Sequence, residues 1–406
     1  MAGGAITLTR IDRGLRLGAV PADAFYEYRL RQVFDGYKWD HQVGGAQNTI
    51  TDKVLLLDAA NYEYLTRAAE ALARETVAME AALLRDEALL LELGLSPMLA
   101  RGLAECSYEP ARHLRLMRFD FHPTTRGWRV SEVNSDVPAG FQEASLHPKF
   151  ASAYFDGYEP AGDFGAAFAA AAARVMRPAG VAGLVYDSHT VEDAQMMAFL
   201  ADTLAQHGYG AKHFEPDQTP WLGRELAGCD LLIRHYPAEW LEYLPNAELA
   251  GYLNSETPSC NHPQAVIAQS KRLPLVWDKL GVPHPMWDKL LPRTTAVVVP
   301  GQKLGKNARE AGYIHKPAFG RVGEGIDVPG AVTPREARLI AATAQQAPGQ
   351  WVRQKLFRSR PVGGLHLAVG VFVLDGAYAG MFARASRTPR MDFDASELPV
   401  LKSADA

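Results

Sequence analysis

The chain reads as a mixed α/β protein of the α+β type, and three observations predict it. Apolar and polar side chains alternate over 114–134 around the turn residues His122-Pro123-Thr124-Thr125-Arg126-Gly127, which is the pattern of a β-hairpin. A second hairpin is signalled at 365–384, where Asp375-Gly376 separates two apolar runs. Between them, from 181 to 234, short apolar runs alternate with a helical stretch at the spacing of a small parallel layer.

The elements follow in order. Residues 22–40 mix Phe25, Tyr26, Tyr28, Phe34, Tyr37 and Trp39 with charges and read as an irregular packed segment. One long helix is predicted from Tyr62 to Leu93, rich in Ala, Leu, Glu and Arg, with no internal Gly or Pro. Gly94 and Pro97 end it. After the first hairpin, Ala166–Met176 reads as a helix and Val181–Tyr186 as a buried strand. Val191–His207 reads as a helix closed by Gly208, with strands at Ala211–Phe214 and Cys229–Arg234. The remainder predicts a helix around Ala265–Leu280 and strands near 296–299, 313–316 and 351–355. The final hairpin joins Leu365–Leu374 to Ala377–Arg384. Four units are expected, at 1–110, 111–160, 161–262 and 263–406.

Composition narrows the function classes. With 42 basic and 46 acidic side chains the formal charge is −4, so a nucleic-acid backbone is not the expected partner. No apolar run reaches the roughly 18–20 residues of a membrane helix, so no membrane partner is expected. The first residues, Met1-Ala2-Gly3-Gly4-Ala5-Ile6, show no basic region ahead of an apolar core, so no secretory signal is read. Cys106, Cys229 and Cys260 are far apart and form no disulfide framework. A cytoplasmic protein acting on small molecules is the expectation. Nothing in the pattern fixes an oligomeric state.

Two constellations carry chemistry. Residues two apart on a strand share a face, so Arg118 and Asp120 point one way, as do Glu132 and Asn134. Met117, Phe119, Phe121 and Val133 fall on the opposite, apolar face. Two carboxylates and an amide oxygen are hard donors that suit Mg²⁺. No ring of His and Cys accompanies them, which argues against zinc. Arg118 can pair with the acids or hold a phosphate. The alternative is a solvated hairpin face with ordinary salt bridges. The small-residue loop from Ser135 and Asp136 to Gly140 reads as a substrate approach, and Glu143 beyond it could receive an amine.

In the second constellation a strand ends at Lys316, and a loop with Gly320, Arg321, Gly323, Glu324 and Gly325 follows. Such glycines let backbone N–H groups approach an anion. The loop is neither a Walker A motif nor a GxGxxG fingerprint, and taken on its own it reads more readily as a plain surface hairpin loop. Lys271, in Gln269-Ser270-Lys271-Arg272, is a further phosphate candidate. Gln354, Lys355, Leu356 and Phe357 could offer backbone groups and an apolar wall to an adenine. The twelve histidines do not cluster at ligand spacing.

Taken in order, these pieces resemble the ATP-grasp ligases of the glutathionylspermidine synthase family. The matching residues are Arg118-Phe119-Asp120, Glu132-Val133-Asn134-Ser135-Asp136, Gln269-Ser270-Lys271, Lys316-Pro317, Gly320-Arg321-Val322-Gly323, Gln354, and Gly380 with Arg384. The resemblance runs from about Ala22 to Leu401, and its most specific part is the spacing of twelve from Asp120 to Glu132.

It implies an ATP-grasp fold in circularly permuted order, the metal hairpin preceding the nucleotide lysines, with a small pre-ATP-grasp-like α/β unit and N-terminal helices. The cofactors implied are ATP and Mg²⁺, two ions being held by Asp120, Glu132 and Asn134. Arg118 would touch the transferred phosphate, and Lys271 and Lys316 the ATP phosphates. Gly320, Arg321, Gly323 and Glu324 would lie in a loop over them. Gln354, Lys355, Leu356 and Phe357 would line the adenine, and Arg384 would stabilise an acyl-phosphate and a tetrahedral intermediate.

The implied activity is ADP-forming amide synthesis from a carboxylate and an amine, with no covalent enzyme nucleophile. No cysteine precedes Cys106, so the amidase activity of bifunctional members is not expected. Val137-Pro138-Ala139-Gly140 replaces the small hydroxyl residue of glutathione-using members, which leaves the acid open. Two other classes fit the same residues: nucleotide binding without catalysis, and a phosphotransferase.

Overall fold

The two predicted hairpins form and lie side by side. In the computed structural model, which describes residues 14–43, 47–297 and 312–405, Leu116–Thr124 pairs with Gly127–Asn134 and His366–Leu374 with Ala377–Ser386. His366–Leu374 also pairs antiparallel with Leu116–Thr124, joining the hairpins edge to edge. Beyond Ala377–Ser386 comes Ser396–Ser403, which runs parallel to Lys53–Leu57, and Leu15–Ala19 closes that edge. Tyr158–Pro160 adds a short eighth strand beside Ser396–Ser403.

Both faces of this sheet are covered. Met117, Phe119, Phe121 and Val133 are buried as their alternation predicts, in one cluster with Leu65, Ala68 and Leu72 of the helix Ala59–Leu83. Phe372 and Phe382 pack from the other face against Phe141 and the helix Phe164–Val175, where the Phe141 and Phe164 rings stack at 4.6 Å. Each such buried side chain contributes about 1.5–3 kcal/mol by leaving water.

The predicted parallel layer is present as Ser259–Cys260, Leu231–His235, Val181–Tyr186 and Gly210–Phe214, in that spatial order. A third, antiparallel sheet places Trp351–Lys355 between Thr294–Ala296 and Tyr313–Pro317. The strand expected near 296–299 is thus seen at 294–296, and residues 298–299 lie outside the described residues.

Three local expectations need correction. Residues 22–40 are not wholly irregular: Phe25–Phe34 is a helix that buries Tyr28 and leaves Tyr26 and Phe34 exposed, so its aromatics mark no single face. The helix expected over 62–93 is two, Ala59–Leu83 and Glu87–Glu92. Asp86 leaves the helical conformation and accepts from the Leu89 N–H, starting the second as its N-cap. The helix expected around 265–280 shrinks to Val266–Gln269 followed by short 3₁₀ turns, because Ser270 turns extended (ψ 121), its hydroxyl donating to the Leu93 carbonyl and the Lys271 N–H to the Ala318 carbonyl. A further helix, Pro334–Gln346, is capped by Thr333, whose hydroxyl accepts from the Glu336 N–H.

All three cysteines are free thiols. No helix among the described residues is long and apolar enough to cross a membrane.

Candidate active site

A cleft of about 980 Å³ opens where the first hairpin, the three-stranded sheet and the parallel layer meet. The hairpin supplies its floor. A register shift between Phe119 and Phe121 brings Asp120 beside the opposing strand. There Arg118 grips Asp120 through both oxygens, at 2.8 Å from Nε and 3.0 Å from Nη2. Asn134 donates its amide to Asp120 Oδ2 at 3.1 Å. Glu132 meets the Lys271 ammonium at 3.0 Å, and Lys271 donates onward to the Gly320 carbonyl at 2.8 Å. Lys316 comes in from the three-stranded sheet and donates to the Ser131 carbonyl at 2.9 Å, with Gln354 Oε1 at 3.4 Å.

The electrostatics follow from this geometry. Burial works against the Glu132 carboxylate, but the Lys271 and Lys316 ammoniums outweigh it and hold its pKa near about 2. Burial dominates at Lys316, which is only 3% exposed, and depresses its pKa to about 8 despite the pull of Glu132. Burial likewise lowers His122 to about 4, so its ring is neutral, with Nε2 3.0 Å from the Ser131 hydroxyl. Three hard oxygen donors, a guanidinium and two ammoniums therefore converge. That donor chemistry fits a divalent cation bound together with phosphate oxygens.

The glycine loop crosses the cleft mouth. Gly323 has φ +69, and the Met391 carbonyl lies 2.6 Å from where a Cβ would stand, so only glycine fits. Arg321 pairs with Glu239 at 2.5 Å and lies 4.7 Å over the Trp240 ring, which tethers the loop to the parallel layer. Gly320, Arg321, Gly323 and Glu324 all line the cleft, as do Gln354, Leu356, Phe357 and Arg384. Arg384 Nη2 donates to the Asp392 carbonyl.

Some expected residues are elsewhere. Lys355 is exposed and turns outward over the Tyr313 ring, because Gln354 takes the inward alternation of that strand. Ser135 and Asp136 are wholly buried beneath the cleft rather than in it. Ser135 donates to the Ala265 carbonyl at 2.5 Å. Asp136 pairs with Arg234, itself buried, and accepts from the Ala238 N–H at 2.7 Å. These contacts tie the hairpin to the parallel layer. Asp136→Ala is accordingly expected to destabilise the protein by about 3–5 kcal/mol, leaving Arg234 buried without its partner. A drop in the denaturant midpoint at unchanged slope would register it.

The cleft also has an acidic wall. Asp40, Glu143, Glu192, Asp193 and Glu397 line it. Behind them Lys38, 2% exposed, meets Asp40 at 2.7 Å, Glu143 at 3.1 Å and Glu397 at 2.5 Å. Burial lifts the Glu397 pKa to about 7 against the pull of Lys38. Sequence reading singled out only Glu143 of this group. The one available signal was Lys38 itself, a cation set between Tyr37 and Trp39. Asp187, His189 and Glu215 come together as ligand-type side chains, with His189 exposed, and they are not among the residues lining this cleft.

A family model described as glutathionylspermidine synthase pre-ATP-grasp matches residues 27–399. No curated protein matches the chain. Among solved structures, a glutathione synthetase-like effector (GSS30) from Globodera pallida in its apo form is 11% identical, with 92% of this chain and 97% of that one covered at a TM-score of 0.61. At that identity the likeness is one of fold. A putative γ-glutamylcysteine synthetase from Methylobacillus flagellatus KT matches at 12% identity, 79% and 88% coverage and a TM-score of 0.44. D-cycloserine synthetase DcsG matches at 18% identity, 56% and 75% coverage and a TM-score of 0.35.

Proposed function

Since this chain belongs to the glutathionylspermidine synthase pre-ATP-grasp family, we propose that it is an ATP-dependent ligase joining a carboxylate to an amine through an acyl-phosphate, with release of ADP. The observation that carries this reading is the convergence of Asp120, Glu132 and Asn134 with Arg118, Lys271 and Lys316 in one cleft that also carries an acidic wall. A phosphate site and an acidic wall within one cavity suit a reaction between an activated acid and an amine.

Each group then has a part. Asp120, Glu132 and Asn134 are the oxygen donors for two Mg²⁺ ions, which when bound neutralise charge on the transferred phosphate. Lys271 and Lys316 bind the nucleotide phosphates, with Lys316 held inward by Ser131. Gln354, Leu356 and Phe357 face the adenine, and the neutral His122 ring lies 5.1 Å from that of Phe357. The glycine loop with Arg321 and Glu324 shields the phosphates from water. In the first step a carboxylate oxygen attacks the γ-phosphorus and its bond to ADP breaks. In the second the ammonium first gives a proton to a carboxylate of the acidic wall, the freed amine nitrogen attacks the acyl carbon, the bond to phosphate breaks, and the nitrogen's second proton leaves with the phosphate. Arg118 and Arg384 offset the negative charge of both steps.

The circularly permuted order and the division at 110, 160 and 262 belong to the same proposal. So does a cytoplasmic site of action, to which three free thiols are suited.

Purified protein given Mg²⁺, ATP and a panel of acids and amines is expected to release phosphate. Its product should weigh the acid plus the amine less one water. A product that gains phosphate instead would identify a phosphotransferase. ATP binding with no ADP across the panel would identify a non-catalytic nucleotide-binding protein. Either result overturns the reading.

A further inference from the structure

We infer that Glu397 is the general base of the second step: its carboxylate takes a proton from the substrate ammonium beside Arg384, and the freed amine attacks the acyl carbon. This inference rests on the ligase reading, which leaves the proton-accepting carboxylate open.

The sheet places the residue. In the register of Ala377–Ser386 with Ser396–Ser403, Glu397 stands directly opposite Arg384, and Arg384 stands opposite Ala368 of the next strand. Residues opposite one another in an antiparallel pair share a face, about one strand spacing of roughly 4.8 Å apart. Glu397, Arg384 and Ala368 all line the cleft, as does Asp120, whose strand lies beyond that of Ala368. The floor thus runs from the hairpin of Asp120, across the small residues Ala368 and Gly370, to Arg384 and then to Glu397. A carboxylate one step beyond Arg384 is next to the point where the acyl carbon is attacked. Its backbone is fixed on the other side as well: the Glu397 N–H donates to the Thr49 carbonyl at 2.9 Å, and Glu397 bridges Ile50.

The other carboxylates of the wall are placed differently. Glu143 leaves 4% of its side chain exposed against 20% for Glu397, and Asp40 is held by both Lys38 and the Gln195 amide. Asp193 lies 3.4 Å from His235 Nε2, and it and Glu192 belong to the helix Val191–Gln206 rather than to the sheet that carries Arg384. Five carboxylates share the single ammonium of Lys38, so the wall stays anionic and draws in a protonated amine. Burial raises the Glu397 carboxyl, Lys38 pulls it down, Glu143 and Asp40 push it up again, and its pKa settles at about 7. Glu192 also feels the Glu397 charge, and the buried His147 ring, lowered to about 4, stays neutral. A base half ionised near neutral pH is matched to proton transfer there. The ammonium gives one proton to Glu397, the nitrogen lone pair bonds to the acyl carbon, and the carbon–oxygen bond to phosphate breaks. The second nitrogen proton leaves with the phosphate, the third stays on the amide, and Glu397 returns its proton to water.

The test separates proton removal from activation of the acid. Purified protein is given Mg²⁺, ATP, a panel of carboxylic acids and either hydroxylamine or linear α,ω-diaminoalkanes. Hydroxylamine is unprotonated at neutral pH and attacks an acyl-phosphate without a base, giving a hydroxamate. Glu397→Gln is expected to lower amide formation from the diaminoalkane by about 10²–10⁴-fold, and hydroxamate formation by less than about threefold. In wild type the amide rate should rise with pH and level off above about 7, a limb that the variant lacks. Equal losses with both nucleophiles, or no loss with the diaminoalkane, overturn the inference and leave the ligase reading standing, as does a wild type that makes hydroxamate but no amide. Should Glu397→Gln fail to fold, Glu397→Asp, which keeps the charge and shortens its reach, must show the same split as a smaller loss confined to the amine. Wild type that forms no hydroxamate from any acid sinks the ligase reading itself.

Discussion

Glu132→Gln is expected to lower ligase turnover by about 10²–10³-fold, the usual penalty for removing one aimed electrostatic group from a transition state. The change keeps the shape of the side chain but removes the charge that faces Lys271 at 3.0 Å and supports Lys316. Asp120 and Arg118 remain paired, so the hairpin itself should hold. The loss should therefore appear chiefly in kcat, with the circular dichroism spectrum unchanged. A pH titration of stability adds a second readout. Glu132 has its pKa held to about 2 in the folded protein, below the ordinary carboxylate value. Its stabilising contribution is thus complete above the unfolded pKa and is lost as pH falls towards about 2. Glu132→Gln should flatten that acid limb. Equal steepness in variant and wild type would show that the lysines do not act on this carboxylate.

Lys316→Met should have the opposite effect on stability and a comparable one on activity. The wild-type ammonium is buried, and its pKa falls to about 8 against an ordinary lysine value of 10.5. A folded-state pKa below the unfolded one means that the charged form opposes folding. Stability should therefore rise as pH climbs from about 8 to about 10.5. At neutral pH the methionine variant escapes that opposition. A gain of about 1–3 kcal/mol is expected from the size of the shift, reduced by loss of the bond to Ser131. Nucleotide binding should weaken by at least tenfold, since the phosphates lose an inward-held cation. In wild type, nucleotide affinity should also decline above pH 8 as Lys316 loses its proton. A variant both less stable and unaltered in nucleotide affinity would remove Lys316 from the site. Stability surrendered at a functional position in this way is common where a charge is held ready for its ligand.

Legibility in the sequence followed the range of the interactions. The hairpins were readable because strand alternation and turn chemistry are local: Met117, Phe119 and Phe121 announce one face, and Arg118 and Asp120 the other. The parallel layer was readable from the length and spacing of its apolar runs. Helix ends were misread where one side chain decides. Asp86 restarts a helix that composition alone would continue, and Ser270, bonded to the distant Leu93 carbonyl, ends one that the surrounding apolar residues suggest. The small loop after Asn134 was misread for a different reason. Ser135 and Asp136 look like exposed substrate contacts from composition, yet they are buried by partners 130 and 98 residues away, Ala265 and Arg234. The acidic wall was largely invisible because Lys38, Glu143, Glu192 and Glu397 come from four separate stretches, and no spacing rule links them.

The pairing of Ser396–Ser403 with Lys53–Leu57 has a consequence for how the protein comes to exist. Val400 sits opposite Leu55, so Lys53–Leu57 has Leu15–Ala19 on one side while its other edge stays open until the chain has grown about 345 residues further. Contacts that span so much chain are slow to close. During translation the exposed edge of Lys53–Leu57, with Val54, Leu55, Leu56 and Leu57, would be a sticky intermediate in need of chaperoning. Removal of residues 396–405 would leave that edge open permanently, and the shortened product should be recovered from inclusion bodies rather than as a working fragment.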